Sequence, residues 1–166
     1  MKSSQRLNLL DDWNVSTERA VEIQREHASR ILITPISQPV RYVAGLDVSL
    51  CRDSDRGWAA AVLWDIKLGE AGEIHVLRQK MKFPYVPGLL SFREAPALMA
   101  VLRKLEIKPD ALICDGQGIA HPRRFGIASH VGLLSGLPSI GCAKSLLVGD
   151  HGRLGEKRGA RKAILY

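Results

Sequence analysis

The sequence predicts an α/β fold: a mixed sheet, in which a three-stranded antiparallel meander is followed by parallel strands, flanked by helices. Two observations point to it. Three strand-like runs follow one another at 42–50, 58–66 and 74–83 with short turns between them, the order of a meander. Beyond them the pattern alternates, with a helical stretch from Phe92, a short apolar run at 111–114, a helical stretch from Gly126 and another short apolar run at 138–143. Strands that alternate with helices pair in parallel. At 166 residues, with 46% apolar and 25% charged residues, the chain has the size and composition of one soluble domain with a real core. We read a single domain over 1–166: an N-terminal helix and linker at 1–40, a core at 41–149, and a basic, glycine-rich segment at 150–166.

Each element has a local reason. Residues 1–13 are polar with scattered Leu and are expected to be loosely held. Ser16 or Thr17 caps a helix running to about Ile31, with Glu18 in its first turn and Ala20, Ile23, His27 and Ile31 as a modest apolar face. Pro35 and Pro39 end it. In YVAGLDVSL (42–50), Tyr42, Ala44, Leu46 and Val48 share one face, while Val43, Gly45, Asp47 and Ser49 share the other. Asp is disfavoured inside such a run, so Asp47 must be paired, solvated in a cleft or bound to a metal. CRDSDRG reads as a polar turn, WAAAVLWDI (58–66) as the second strand, and IHVLRQKMKF (74–83) as the third.

PYVPGLLSFRE (84–94) opens with two prolines and a glycine within five residues, which no strand or helix continues. It is a stiff loop with Tyr85 and Val86 at its tip. Such a loop either wedges its aromatic into a base stack or packs it on the protein body. Phe92, Arg93 and Glu94 then open a helix whose Leu98, Val101, Leu102 and Leu105 recur at i, i+3, i+4, i+7. Glu94 either serves the helix dipole or points back into a site.

The stretch from Ala111 to Gly132 organises the rest. A buried strand ends on Asp115, glycines follow at 116 and 118, and His121-Pro122-Arg123-Arg124 makes a cationic corner. A carboxylate at a strand end, beside backbone opened by glycine, is where α/β proteins place chemistry. The helix from Gly126 runs to about Ser135 and stops at Gly136. Lys144 directly follows the last strand and, if the strands are parallel, faces the same end of the sheet as Asp115.

Net charge is +7 and the isoelectric point about 9.6, which favours a polyanionic partner, of which nucleic acid is the commonest. The three cysteines are scattered; two lie in apolar runs, which points to buried thiols rather than a zinc site or a disulfide framework. No apolar run approaches the ~18 residues of a membrane span, and the N-terminus lacks a signal peptide's apolar core. The expectation is a cytoplasmic, monomeric protein with no membrane partner.

Three carboxylates, Asp47, Glu94 and Asp115, thus come from a first strand, a helix start and a later strand. Converging carboxylates without a Cys/His set suit Mg2+, or Mn2+, rather than Zn2+. Ions held this way activate water and stabilise the leaving oxygen in phosphodiester hydrolysis. The order of elements resembles the ribonuclease H-like nuclease fold. More specifically, VAGLDVS (43–49), PYVPGLLSFRE (84–94), DGQGIAHPRRFGIASHVGLL (115–134) and PSIGCAKSLLVG (138–149) resemble endonuclease V, the deoxyinosine-specific DNA repair nuclease.

The resemblance implies metal-binding, catalytic carboxylates at Asp47, Glu94 and Asp115. It implies a strand-separating wedge at Pro84, Tyr85, Val86 and Pro87, and a base pocket around Gly88, Leu90, Gly116 and Ile127. His121 and Lys144 match catalytic residues near the scissile phosphate. It implies hydrolysis of a phosphodiester bond on the 3′ side of the lesion with Mg2+, on inosine-containing DNA or, in some members, RNA. Members continue past the point where this chain stops, so the resemblance also implies a fragment, a C-terminally truncated copy or a divergent member, without the family's further sheet-flanking structure and one more metal-site residue, His or Asp. Two readings stand side by side: a metal-dependent endonuclease for inosine-containing nucleic acid, and a catalytically impaired nucleic-acid-binding homologue.

Overall fold

A computed structural model describes residues 13–51 and 54–166, so the expectation for residues 1–12 and part of the polar turn at 51–57 lie outside the described residues. Among the described residues three helices, α1 (Thr17–Ala28), α2 (Leu90–Leu102) and α3 (Ile127–Ser135), accompany five strands. β1 (Tyr42–Leu50), β2 (Arg56–Asp65) and β3 (Glu70–Lys80) form the antiparallel meander; β4 (Ala111–Asp115) and β5 (Ser139–Cys142) add in parallel beside β1. The order across the sheet is β3-β2-β1-β4-β5. The α/β class and the mixed sheet are therefore as the sequence predicts.

Alternation in the strands decides where the core lies. Ala44, Leu46, Ala59, Ala61, Leu63, Leu112 and Cys114 line one face and pack against Leu98, Val101 and Leu102 of α2 and Ile127, Ala128 and Val131 of α3. On the opposite face Trp58, Trp64, Ile74, Val76, Ile113 and Ile140 are exposed. Asp47 belongs to that open face. α1 packs elsewhere: its Ala20 and Ile23 join Phe83, Leu89 and Phe92 in a second cluster that also takes Trp13 and Val86.

Element boundaries differ from expectation where tertiary contacts decide them. α1 starts at the expected cap, with Ser16 Oγ accepting from the Arg19 N–H at 3.2 Å, but stops at Ala28. Beyond it Leu32 and Ile33 are exposed and find nothing to pack on. β3 begins at Glu70 because Asp65 closes a tight turn: its Oδ1 accepts from the N–H groups of Lys67 and Leu68, and Glu70 pairs directly with Asp65. α2 starts two residues before Phe92 and ends at Leu102, so Leu105 lies past its end while still packing on the core. α3 stops at Gly136, as expected. Of the two cysteines in apolar runs, Cys114 is buried and its thiol is pushed up to about 12 by that burial. Cys142 corrects the expectation of a second buried thiol: it is exposed, on the edge strand of the sheet. Among the described residues no helix is long and apolar enough to cross a membrane.

Candidate functional site

The parallel pairing of β1 and β4 matches Leu46 with Cys114. The next residue on each strand is Asp47 and Asp115, so the two carboxylates leave neighbouring strands at one end of the sheet. Both alternate away from Leu46 and Cys114, which are held in the core. Glu94 reaches the same region from the first turns of α2. It is only 8% exposed, and its carboxyl is pushed up to about 7, chiefly by burial and then by the negative charges of Asp47 and Asp115. Arg93 and Lys144 oppose that shift.

Lys144, 84% exposed in its side chain, swings from the end of β5 to form an ion pair with Asp115. The hydrogen bond and the charge of Asp115 raise its pKa above the ordinary lysine value. An ammonium thus sits where a cation is wanted. The donors fit a hard divalent ion in type, all being carboxylate oxygens, and in charge, since the negative charges of Asp47 and Asp115 add to burial in raising the Glu94 carboxyl. Among the described residues, however, no three His, Cys, Asp or Glu side chains stand close enough to hold a metal as they are placed. A metal on Asp115 would replace Lys144.

Two of the expected pocket residues touch. Gly116 has φ +133°, and a Cβ there would lie 2.7 Å from Ile127 Cγ2. Only glycine lets the strand end turn this way against α3. Gly88 lies instead against His121 and Arg123, and Leu90 is the half-buried first residue of α2. On the preceding loop Pro84 and Pro87 are exposed and Tyr85 is 69% exposed, while Val86 turns in to pack on the α1 cluster. Tyr85 therefore stands off the protein body.

His121 is 3% exposed. Its Nδ1 accepts from the Arg123 N–H at 3.2 Å, which leaves Nε2 to donate to the Gly88 carbonyl at 3.0 Å. Burial holds its pKa below the ordinary histidine value, in keeping with that neutral tautomer. The cationic corner divides. Arg123 turns inward to Gln24 and Gly88. Arg124, at φ +53°, lays its guanidinium 5.0 Å over the ring of Tyr166, whose hydroxyl donates to the Ile119 carbonyl. Sequence reasoning missed Gln24, a polar residue on a helix face with no pattern to mark it, and Gln117, whose Nε2 donates to the Ser145 carbonyl at 2.7 Å and ties the glycine loop to the segment after Lys144.

Comparison with known proteins identifies the family and supports the fold. The endonuclease V family model matches residues 25–166. The endonuclease V of Roseiflexus sp. is 51% identical over 148 residues, covering 89% of this chain and 66% of that protein. The solved structure of endonuclease V from Streptomyces avermitilis superposes with a TM-score of 0.87 at 38% identity, covering 93% of this chain and 69% of that one. Ciona intestinalis endonuclease V, solved with a 24mer DNA containing an inosine followed by a ribo-adenosine, superposes with a TM-score of 0.74 at 27% identity, covering 87% of this chain and 62% of that one. The chain spans about two thirds of the length of the relatives it matches, 66% of the Myxococcus xanthus protein and 70% of the Trichormus variabilis protein. The chain belongs to the endonuclease V family.

Proposed function

We propose that the chain recognises inosine in nucleic acid and hydrolyses a phosphodiester bond on the 3′ side of that base, with Mg2+, or Mn2+ in its place, held by Asp47, Glu94 and Asp115. The observation that carries this reading is the convergence of negative charge: a nearly buried Glu94 whose carboxyl is pushed up to about 7 partly by Asp47 and Asp115. Negative charge from two strand carboxylates felt at a buried third is a setting that a divalent cation would relieve. When bound, such an ion lowers the pKa of its water and stabilises the leaving oxygen. The chain's own residues do the rest. Lys144, released from Asp115, is a mobile cation for the phosphate. Tyr85 fills the stack that an extruded base vacates, and the base enters beside half-buried Gly116, which has no side chain to obstruct it. The inosine-containing DNA in the Ciona relative's structure supports the choice of substrate.

A second reading is favoured by one specific feature. Lys144 occupies Asp115, and no closed set of three metal-ligating side chains stands ready among the described residues. On that reading the chain binds nucleic acid without cutting it. A nicking assay on an inosine-containing duplex with Mg2+, run beside a binding assay in EDTA, separates the two. We expect Mg2+-dependent nicking, lost by at least ~100-fold in Asp115→Ala with an unchanged circular dichroism spectrum. Inosine-selective binding without any nicking would establish the second reading instead.

A further inference from the structure

The loop that carries Tyr85 is held by a helix outside the sheet. Val86 to Leu89 form a β-turn closed by the Leu89 N–H donating to the Val86 carbonyl at 2.9 Å. Pro87 takes its second position and Gly88, at φ +77°, its third, the residue pattern of a type II turn. The Gly88 carbonyl then receives three donors: Gln24 Nε2 at 3.0 Å, His121 Nε2 at 3.0 Å and Arg123 Nη2 at 2.8 Å. Gln24 is the common member. It sits on α1, is 1% exposed, and has every face of its amide engaged. Its Nε2 also donates to the Phe125 carbonyl at 3.1 Å, and its Oε1 accepts from Arg123 Nε. One side chain thus ties α1, the Tyr85 loop and the corner before α3 together across 64 and 101 residues of sequence.

We infer that Gln24 is a positioning residue for the Tyr85 tip: by gripping the Gly88 carbonyl and orienting Arg123 onto it, Gln24 fixes the Pro87–Gly88 turn from which Tyr85 projects. The inference rests on reading Tyr85 as the group that fills the opened base stack. A hydrocarbon of the same size would fill the α1 cluster without burying any polar group, so burying an amide here sets geometry rather than adding apolar packing. The geometry in question belongs to a loop that has to meet a duplex already shaped, since ordering it on contact would weaken binding. A side chain at Gly88, already strained by its positive φ, would push the Arg123 guanidinium off the carbonyl, because a Cβ would lie 2.8 Å from Arg123 Nη2.

Two variants test this. Gln24→Met removes every hydrogen bond at similar volume. Gln24→Glu keeps an acceptor for Arg123 but sets an oxygen against the Gly88 and Phe125 carbonyls. Hydrogen exchange of the Leu89 amide reads the turn directly and is independent of any ligand. It should quicken roughly tenfold in both variants, the loss of about one net hydrogen bond, while β1 amides keep their protection. Binding of inosine-containing duplex and single strand, in EDTA, reads the consequence. The duplex-to-single-strand affinity ratio should fall in the Gln24 variants and in Tyr85→Ala, with no further fall when Gln24→Met and Tyr85→Ala are combined. Unchanged Leu89 exchange in both variants overturns the inference. So does a ratio that falls in Tyr85→Ala and not in the Gln24 variants, which leaves the wedge reading intact. A ratio unmoved by Tyr85→Ala removes the wedge reading and the positioning role with it, whereas Leu89 exchange still reports whether Gln24 holds the turn.

Discussion

His130 is packed among aromatic rings, with the centroids of Phe125, Phe92 and Trp13 at 5.0, 5.1 and 5.4 Å, and its Nδ1 is 3.0 Å from Ser91 Oγ. Burial pushes its pKa down to about 3, so it is neutral in the folded chain. In the unfolded chain it titrates near its ordinary value of about 6.5. Between about pH 6.5 and about pH 3 the unfolded state therefore holds a proton that the folded state refuses. Folding stability falls as pH drops through that window, by at most ~1.4 kcal/mol per pH unit from this one group, and above it His130 has no effect. His27 and His121 are displaced in the same direction by burial, while Glu94, raised to about 7, works the other way between its ordinary value and that point. The contribution of His130 is thus the difference between wild type and His130→Gln. Urea midpoints in metal-free buffer should drop less between about pH 6.5 and about pH 4 in the variant than in the wild type. Equal drops would mean that His130 takes up its proton without opening the core.

At the scale of elements, α1 matters more than its short apolar face suggests. Ser16 caps it, and Ala20, Ile23 and Gln24 are its buried positions. Ser16→Ala should lower the unfolding free energy by ~1 kcal/mol, with Ser16→Asp restoring it, read as a shift in urea midpoint at unchanged slope. The start of this helix was legible because a cap is local chemistry; its end was not, because it depends on where Leu32 and Ile33 fail to find cover. β1 and β4 were legible for a related reason: alternation around Asp47 and a short apolar run before Asp115 are signals carried by the residues themselves. β3 was read as starting at Ile74 and running to Phe83, past its end at Lys80; its start was missed because Glu70, Ala71, Gly72 and Glu73 show no alternation, and their pairing is imposed by the Asp65 turn. The candidate carboxylates could be named from sequence, since Asp in a strand and Asp at a strand end are anomalies. Their neighbourhood could not, because Gln24 meets Gly88 and Arg123 only after the chain has folded.

At the scale of the molecule, charge is distributed unevenly. The 150–166 segment carries Arg153, Lys157, Arg158, Arg161 and Lys162, every one exposed. It is anchored at both ends: Asp150 and Leu165 exchange a pair of backbone hydrogen bonds, and Tyr166 reaches the Ile119 carbonyl and lies under Arg124. The segment thus forms a basic loop beside the corner that follows Asp115, where Arg124 and Lys144 already supply cations. Among the described residues, Arg153 alone of its five cations faces a carboxylate, Glu156 at 3.6 Å, and that pair is too exposed to neutralise much. A polyanion lying over the carboxylate end of the sheet would meet this loop. Each phosphate contact it makes releases counterions and steepens the dependence of affinity on salt by about 0.9 in a log–log plot for duplex DNA. Replacing Lys157, Arg158, Arg161 and Lys162 by Gln should flatten that slope by up to ~3–4 between about 50 and 200 mM salt. On the proposed function, the preference for inosine over adenine should stay the same, because phosphate contacts position a protein and carry no base information. Fluorescence anisotropy titrations of paired inosine and adenine duplexes measure both quantities at once. A flattened slope with preserved preference assigns the loop to the phosphate backbone, and an unchanged slope places the phosphate contacts elsewhere on the chain.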